Sequence, residues 1–219
     1  MAARRYELVE ELVDLGNGLE IALLRPASPA ALLDAAVAGD APDAPYWAEL
    51  WPSARALAAS LAPLDLRGVR AVELGCGLAL VALAAARAGA EVTAVDHDPE
   101  AIELVRQSAA RCGLELRAQV GDLLAPAALA AEPPFELVLV ADMLYEPPLA
   151  AAIGALLPRL TAPGGRALVA YPWPGQADAL AASLRAAGMS VTLGELPVAG
   201  LDGARPVGLL EAVRGSARV

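Results

Sequence analysis

Val72-Glu73-Leu74-Gly75-Cys76-Gly77-Leu78-Ala79-Leu80 is the stretch on which the fold turns. Val69 to Leu74 reads as a short apolar strand, Gly75 to Gly77 as a tight turn, and the following residues to about Ala88 as a helix. Glycines at such a turn let the backbone approach a ligand closely, and the helix that opens there offers free N–H groups. Downstream the same alternation repeats: a strand at Glu91 to Val95, a helix at Pro99 to Arg111 with Pro in its first turn, and a strand at Leu114 to Val120. Phe135 to Ala141 carries the run Leu-Val-Leu-Val, the pattern of a strand buried on both faces. A helix at Pro148 to Leu160 follows, then a strand at Arg166 to Tyr171, a helix at Gln176 to Ala187, and strands at Ser190 to Leu196 and Val207 to Val213, the last after an Asp202-Gly203 turn. Regular strand–helix alternation predicts an α/β, Rossmann-like sheet of seven strands, mostly parallel, with helices on both faces.

Upstream the pattern differs. Glu11 to Leu15 and Leu19 to Leu24 flank a Gly16-Asn17-Gly18 turn and predict a hairpin. A short helix at Ala30 to Val37 and a loop at Gly39 to Pro45 come next, then a helix from about Ala54 to Leu61 with Ser53 as its cap. The chain divides on this reading into residues 1–52, an N-terminal hairpin, helix and covering segment, and residues 53–219, the main domain of one structural unit.

Composition narrows the function. The chain has 219 residues, enough to bury a real core. It is 57% hydrophobic, but no run approaches the roughly 18 apolar residues of a membrane helix, and the start turns acidic where a signal peptide would be apolar. A soluble, cytoplasmic protein with no membrane partner is expected. The formal net charge of −10 argues against a nucleic-acid partner, whose phosphates reward cations. All sixteen basic residues are Arg, which excludes a pyridoxal Schiff base and a phosphate-loop lysine. Two cysteines, Cys76 and Cys112, and a single His97 give no metal-ligand spacing, so no metal is expected.

Acids at three successive strand ends identify the expected ligand. Glu73 stands two residues before Gly75, Asp96 ends the second strand about twenty residues on, and Asp122 follows the third. A carboxylate at the second position accepts both ribose hydroxyls of an adenosine-type ligand, and Asp122 is placed for an adenine amino group. A dinucleotide binder prefers Gly-x-Gly-x-x-Gly, whereas Leu80 occupies the last glycine position here. Glu73 would repel a pyrophosphate but suits an ammonium and a sulfonium, which points to S-adenosylmethionine, with S-adenosylhomocysteine as its product.

With these residues in view, the chain resembles the seven-strand (class I) methyltransferases, and specifically methyltransferase family 16. Within it the likeness is to the electron-transfer flavoprotein beta-subunit lysine methyltransferases and their bacterial relatives. It is carried by Pro45-Tyr46-Trp47-Ala48-Glu49-Leu50-Trp51-Pro52-Ser53, by Glu73 to Leu78, and by Ala141-Asp142-Met143-Leu144-Tyr145-Glu146. The resemblance implies that Trp51, Glu73, Gly75, Cys76, Gly77, Asp96, His97, Asp122 and Ala141 contact the cofactor, with Trp51 packed beside it. Departures are Ala79 in place of a third loop glycine, Ser108 and Cys112 where relatives often carry Asn, and Leu123 where bacterial relatives often show Trp.

Asp142 and Tyr145 are the expected catalytic pair, at the carboxyl end of the fourth strand, where open α/β sheets bind ligands. A carboxylate orients an incoming ammonium, and an aromatic face favours a cationic or methylated amine. Partial burial lowers an amine's pKa before attack. Which group takes the proton, Asp142, Tyr145 or water, stays open. Trp47, Tyr171 and Trp173 are expected to line the substrate mouth. The expected activity is methyl transfer to a protein lysine; alternatives are a small amine or hydroxyl compound, or a non-catalytic protein that keeps the fold.

Overall fold

The computed structural model describes residues 6–16, 18–39, 44–126, 129, 131–173, 175–198 and 205–216. Asn17, most of the loop before Pro45 and the Asp202-Gly203 turn lie outside them.

Seven strands form one sheet: β3 (Arg70–Leu74), β4 (Glu91–Asp96), β5 (Arg117–Val120), β6 (Phe135–Ala141), β7 (Thr161–Tyr171), β8 (Met189–Leu196) and β9 (Val207–Arg214). Their order is β5-β4-β3-β6-β7-β9-β8. The pairs β3–β4, β3–β6, β4–β5 and β6–β7 are parallel, and β9 runs antiparallel between β7 and β8. The helices of the main unit are α2 (Pro52–Leu61), α3 (Leu80–Arg87), α4 (Pro99–Cys112), α5 (Pro147–Leu160) and α6 (Asp178–Ala186). The strand order reverses between β3 and β6, the switch point beyond whose carboxyl ends open α/β sheets bind ligands.

Two cores sandwich the sheet. One joins Ala71, Ala94 and Leu139 to Leu57, Leu61, Leu83 and Ile102 of α2, α3 and α4; the other joins Val72, Val138 and Val140 to Ile153, Leu157 and Leu184 of α5 and α6. Alternate residues of β6 thus serve opposite cores, which explains its unbroken apolar run.

Local chemistry sets the element ends. Asp98 caps α4 through Glu100 N–H at 2.7 Å, and Gly113 closes it with φ +62°. Leu114 N–H is spent on Ala109 O at 2.9 Å, so β5 pairing starts at Arg117 rather than Leu114. Strand β7 begins at Thr161, directly after α5; a register shift against β6 absorbs the Gly164-Gly165 break that made Arg166 look like its start. Ser53 is not the cap of α2. Trp51 holds that position and Pro52 the first turn, which puts Ser53 inside the helix.

The N-terminal hairpin, β1 (Leu8–Asp14) with β2 (Glu20–Pro26), is a separate two-stranded sheet followed by α1 (Pro29–Ala38). It docks on α4 through the two positions noted as departures. Ser108 Oγ accepts from Leu24 N–H at 3.0 Å, and the Cys112 thiol donates to Ala22 O at 3.4 Å. Glu11 binds Arg25 of its own hairpin and Arg55 of α2. Burial opposes ionisation of Glu11, but Arg55 and Arg25 together hold its carboxyl below the ordinary value. Among the described residues no helix is long and apolar enough to cross a membrane.

Candidate cofactor and acceptor site

The glycine loop joins β3 to α3 with left-handed backbone at Gly75 (φ +66°) and Gly77 (φ +51°). Both glycines face close neighbours. A Cβ on Gly75 would lie 2.2 Å from Met143 Cε, and one on Gly77 would lie 3.2 Å from the carbonyl oxygen of Trp47. Ala79, the departure from the third glycine, also takes the left-handed form (φ +57°), a conformation that costs a non-glycine residue roughly 1 kcal/mol. Its methyl is buried in the first core.

Asp96 organises this loop. Its carboxylate, 5% exposed, accepts from Gly77 N–H at 2.8 Å through Oδ2 and from Asp98 N–H at 3.0 Å through Oδ1. A carboxylate offers about four acceptor positions, and these two amides take two of them. Exposed His97 places Nδ1 3.4 Å from Asp96 Oδ1. The end of β5 is tied in through Gly121 N–H to Asp96 O at 2.8 Å, which sets Asp122 beside this tip. Asp122 is exposed, and its Oδ1 closes a local turn on Leu124 N–H at 2.8 Å.

Glu73 has a different setting from Asp96. It is 2% exposed, and its Oε2 accepts from Ala82 N–H at 2.8 Å, capping the amino end of α3 from inside the protein. Burial pushes its carboxyl up to about 8, against the pull of the Ala82 N–H and aided by the charge of Asp96. Cys76 is buried too. Burial, then the charges of Asp96 and Glu73, push its thiol upward, which leaves it neutral and unreactive.

Across the loop stand the residues that follow β6. Ala141 is the last residue of β6, paired with Ala170. Asp142 follows with φ +58°; its N–H donates to Ala170 O at 3.0 Å, and its Oδ2 accepts from Ser53 N–H at 3.2 Å. Burial raises its carboxyl, while the neighbouring Ser53 draws it down, its amide bonded to Oδ2. Exposed Tyr145 tilts against exposed Tyr46 with ring centroids 5.9 Å apart. Burial raises its phenol, with Glu146, Asp96 and Tyr46 adding to the effect, so the acceptor loop and the β4 tip share one electrostatic neighbourhood.

Trp51 is exposed, and its Nε1 donates to Tyr46 O at 3.1 Å. Trp47 is instead buried, packed against Tyr6 at 6.1 Å, and its Nε1 has no partner among the described residues. Tyr171 lies in the second core, below the surface, and Trp173 is exposed on the loop after β7. The structure therefore links Gly75 to Met143, Gly77 to Asp96 and Trp47, Asp142 to Ser53, and both Trp51 and Tyr145 to Tyr46, with Glu73 and Cys76 buried at the loop, Asp122 beside the β4 tip, Tyr171 in the second core and Trp173 exposed on the loop after β7. Sequence reasoning missed the cover of Gly75 by Met143 and the grip of the Ser53 amide on Asp142; the latter spans 89 positions and leaves no local signal. Two open cavities lie elsewhere: about 370 Å³ beside Leu196 and Pro206, and about 440 Å³ at the opposite sheet end near Arg70 and Glu132. The glycine-loop mouth itself is covered by Met143 and the Trp47 turn. Among the described residues no group of three or more His, Cys, Asp or Glu is placed to hold a metal.

Comparison with known proteins agrees with this layout. Residues 71–165 match the family described as "Methyltransferase domain". The ubiquinone biosynthesis O-methyltransferase of Xylella fastidiosa (strain M23) is 39% identical over 111 residues, covering 48% of this chain and 43% of that protein. Its counterpart from Xanthomonas euvesicatoria pv. vesicatoria (strain 85-10) is 35% identical over 105 residues, covering 47% and 43%. The chain thus spans less than half the length of these curated relatives. Among solved structures, the T. thermophilus 16S rRNA N2 G1207 methyltransferase in complex with AdoMet and guanosine aligns with TM-score 0.67 at 18% identity, over 98% of this chain and 52% of that one. The magnesium protoporphyrin IX methyltransferase of Synechocystis PCC 6803 with bound SAH aligns with TM-score 0.59 at 19% identity, over 75% and 84%. The Asp96-held glycine loop lies within the segment that matches this methyltransferase-domain family, and the solved structures share the fold of the β5-β4-β3-β6-β7-β9-β8 sheet.

Proposed function

We propose that the protein is an S-adenosylmethionine-dependent methyltransferase whose acceptor is a small molecule with an amine or hydroxyl nucleophile. The observation that carries the methyltransferase reading is the bond from Gly77 N–H to Asp96 Oδ2, which couples the glycine loop to the acid that would take the ribose hydroxyls. In this reading Trp51 flanks the cofactor, Asp122 meets its adenine, and Glu73 braces the loop from beneath through the Ala82 N–H. Asp142 and Tyr145 face the acceptor. Transfer is an in-line displacement: the nucleophile's lone pair forms the new bond to the methyl carbon as the carbon–sulfur bond breaks towards sulfur. Alignment and exclusion of water are what the site must provide. A small acceptor is supported by the likeness to proteins named ubiquinone biosynthesis O-methyltransferases.

A protein lysine is the second reading, favoured by the mouth itself. Tyr46, Trp51 and Tyr145 are exposed and in mutual contact through Tyr46, Asp142 and Glu146 lie on the Tyr145 loop, and the motif segments 44–53 and 141–149 hold no basic residue. Such a surface suits a cationic amine. The resemblance to lysine methyltransferases points the same way.

Incubation with methyl-tritiated cofactor and a cell extract, followed by separation of protein from small molecules, tests both. Label in the small-molecule fraction supports the first reading, and a labelled protein band moves the assignment to the second. Because the chain has no Lys, methylation of its own lysine side chains adds no background. No label in either fraction would sink the enzymatic reading.

A further inference from the structure

We infer that Ser53, at the amino end of α2, is a positioning residue for Asp142, its amide holding one carboxylate oxygen so that the other is presented to the acceptor. The inference rests on the methyltransferase reading above and adds a residue to it.

Three observations converge. Asp142 Oδ2 accepts the Ser53 N–H at 3.2 Å, an amide that a helix leaves without an internal partner in its first turn. The Ser53 side chain is 0% exposed, and its Oγ, close to the same carboxylate, makes no hydrogen bond among the described residues. A buried hydroxyl left unbonded is costly, and the neighbouring carboxylate is the acceptor a small rotation would reach. Asp142 also holds left-handed backbone at φ +58°, a conformation a non-glycine residue adopts at a cost. With Oδ2 committed, Oδ1 has no hydrogen bond within the described chain and is the oxygen available to an incoming amine or hydroxyl.

The brace extends outward. Two residues along α2, Arg55 binds Glu11, which also binds Arg25, so the hairpin anchors the helix that carries Ser53. Titratable groups facing this loop are Tyr145 and Glu146 on the loop itself, with Tyr46 and Asp96, both of which act on Tyr145. None is a cation, so Ser53 alone opposes the effect of burial on this carboxyl.

Carbon-13 NMR of labelled Asp side chains, with Asp142→Asn for assignment, reads the Asp142 titration without needing the acceptor. Ser53→Ala removes the hydroxyl and keeps the amide. Ser53→Pro removes both, in a first turn that tolerates it: α5 of this same chain opens on Pro147-Pro148. The Asp142 midpoint should rise in Ser53→Ala and further in Ser53→Pro, by roughly one pH unit, whereas Ser53→Thr should titrate like the wild type. Ala59→Gly, which loosens α2 without touching Ser53, should leave the midpoint in place. An unmoved midpoint in Ser53→Pro, or an equal rise in Ala59→Gly, would overturn the inference. Calorimetric titration of the same samples with S-adenosylmethionine separates the two failures. A wild-type chain that takes up no cofactor would sink the methyltransferase reading and the purpose of the brace with it; an unmoved Asp142 in a chain that binds cofactor would sink the brace alone.

Discussion

Replacing Glu73 by Gln isolates what a buried acid does to this fold. The Glu73 carboxyl is 2% exposed and is pushed up to about 8, chiefly by burial, from an ordinary 4.5. Below pH 4.5 both the folded and the unfolded chain hold the proton, and the group contributes nothing to pH dependence. Between 4.5 and about 8 the unfolded chain releases it while the folded chain keeps it, so stability falls as pH rises through that window. The loss between pH 5 and pH 7 is about 3 kcal/mol at 1.36 kcal/mol per pH unit. Gln keeps a carbonyl oxygen for the Ala82 N–H and cannot ionise. Any fixed cost of its buried amide shifts the whole curve without tilting it. Urea unfolding at pH 5, 6, 7 and 8 should therefore show the wild type losing stability relative to Glu73→Gln by about 3 kcal/mol from pH 5 to 7, or roughly 5–10 °C in melting temperature. Parallel pH profiles for the two proteins would refute the assignment of Glu73 as a neutral internal cap.

Other substitutions probe the remaining contacts. Asp142→Ala removes the remote acceptor for Ser53 N–H and puts Ala into left-handed backbone, so thermal unfolding should show a loss of about 1–2 kcal/mol, whereas Asp142→Asn, which tolerates φ +58° and keeps an oxygen, should lose less than half of that. Gly77→Ala places a methyl 3.2 Å from Trp47 O at φ +51°; it should cost about 1 kcal/mol and weaken S-adenosylmethionine binding about tenfold by calorimetry as the covering turn is displaced. Ser108→Ala leaves the buried Leu24 N–H without its partner and should destabilise the protein by about 1–3 kcal/mol, with amide exchange rising in β2 ahead of the main sheet.

Much of the fold was legible because its strongest signals are local. The β6 run, the Gly75-Cys76-Gly77 turn and the Pro-initiated helices each carry their own physical cause, and the predicted mostly parallel seven-strand sheet is the one observed. Boundaries slipped where a distant bond intervened, as at Leu114, whose N–H closes α4, and at Thr161, where a register shift carries β7 past a Gly-Gly break. In the candidate site, residue types and strand-end positions singled out Asp96 and Asp142, but not how their oxygens are used. Glu73, expected from its position to face the ligand, caps α3 from within, because a carboxylate behind a helix start meets the free N–H groups there first. The covering of Gly75 by Met143 and the grip of Ser53 on Asp142 join segments far apart in the chain, and no spacing rule reports such contacts.

Calorimetric titration of S-adenosylmethionine into the wild type, Asp96→Asn and Asp96→Ala, with circular dichroism to confirm that each is folded, probes the core of the account. One site of binding heat in the wild type, lost in a folded Asp96→Ala and strongly weakened in Asp96→Asn, is the predicted result. Silence in the wild type, or unchanged affinity once the Asp96 carboxylate is gone, would contradict it.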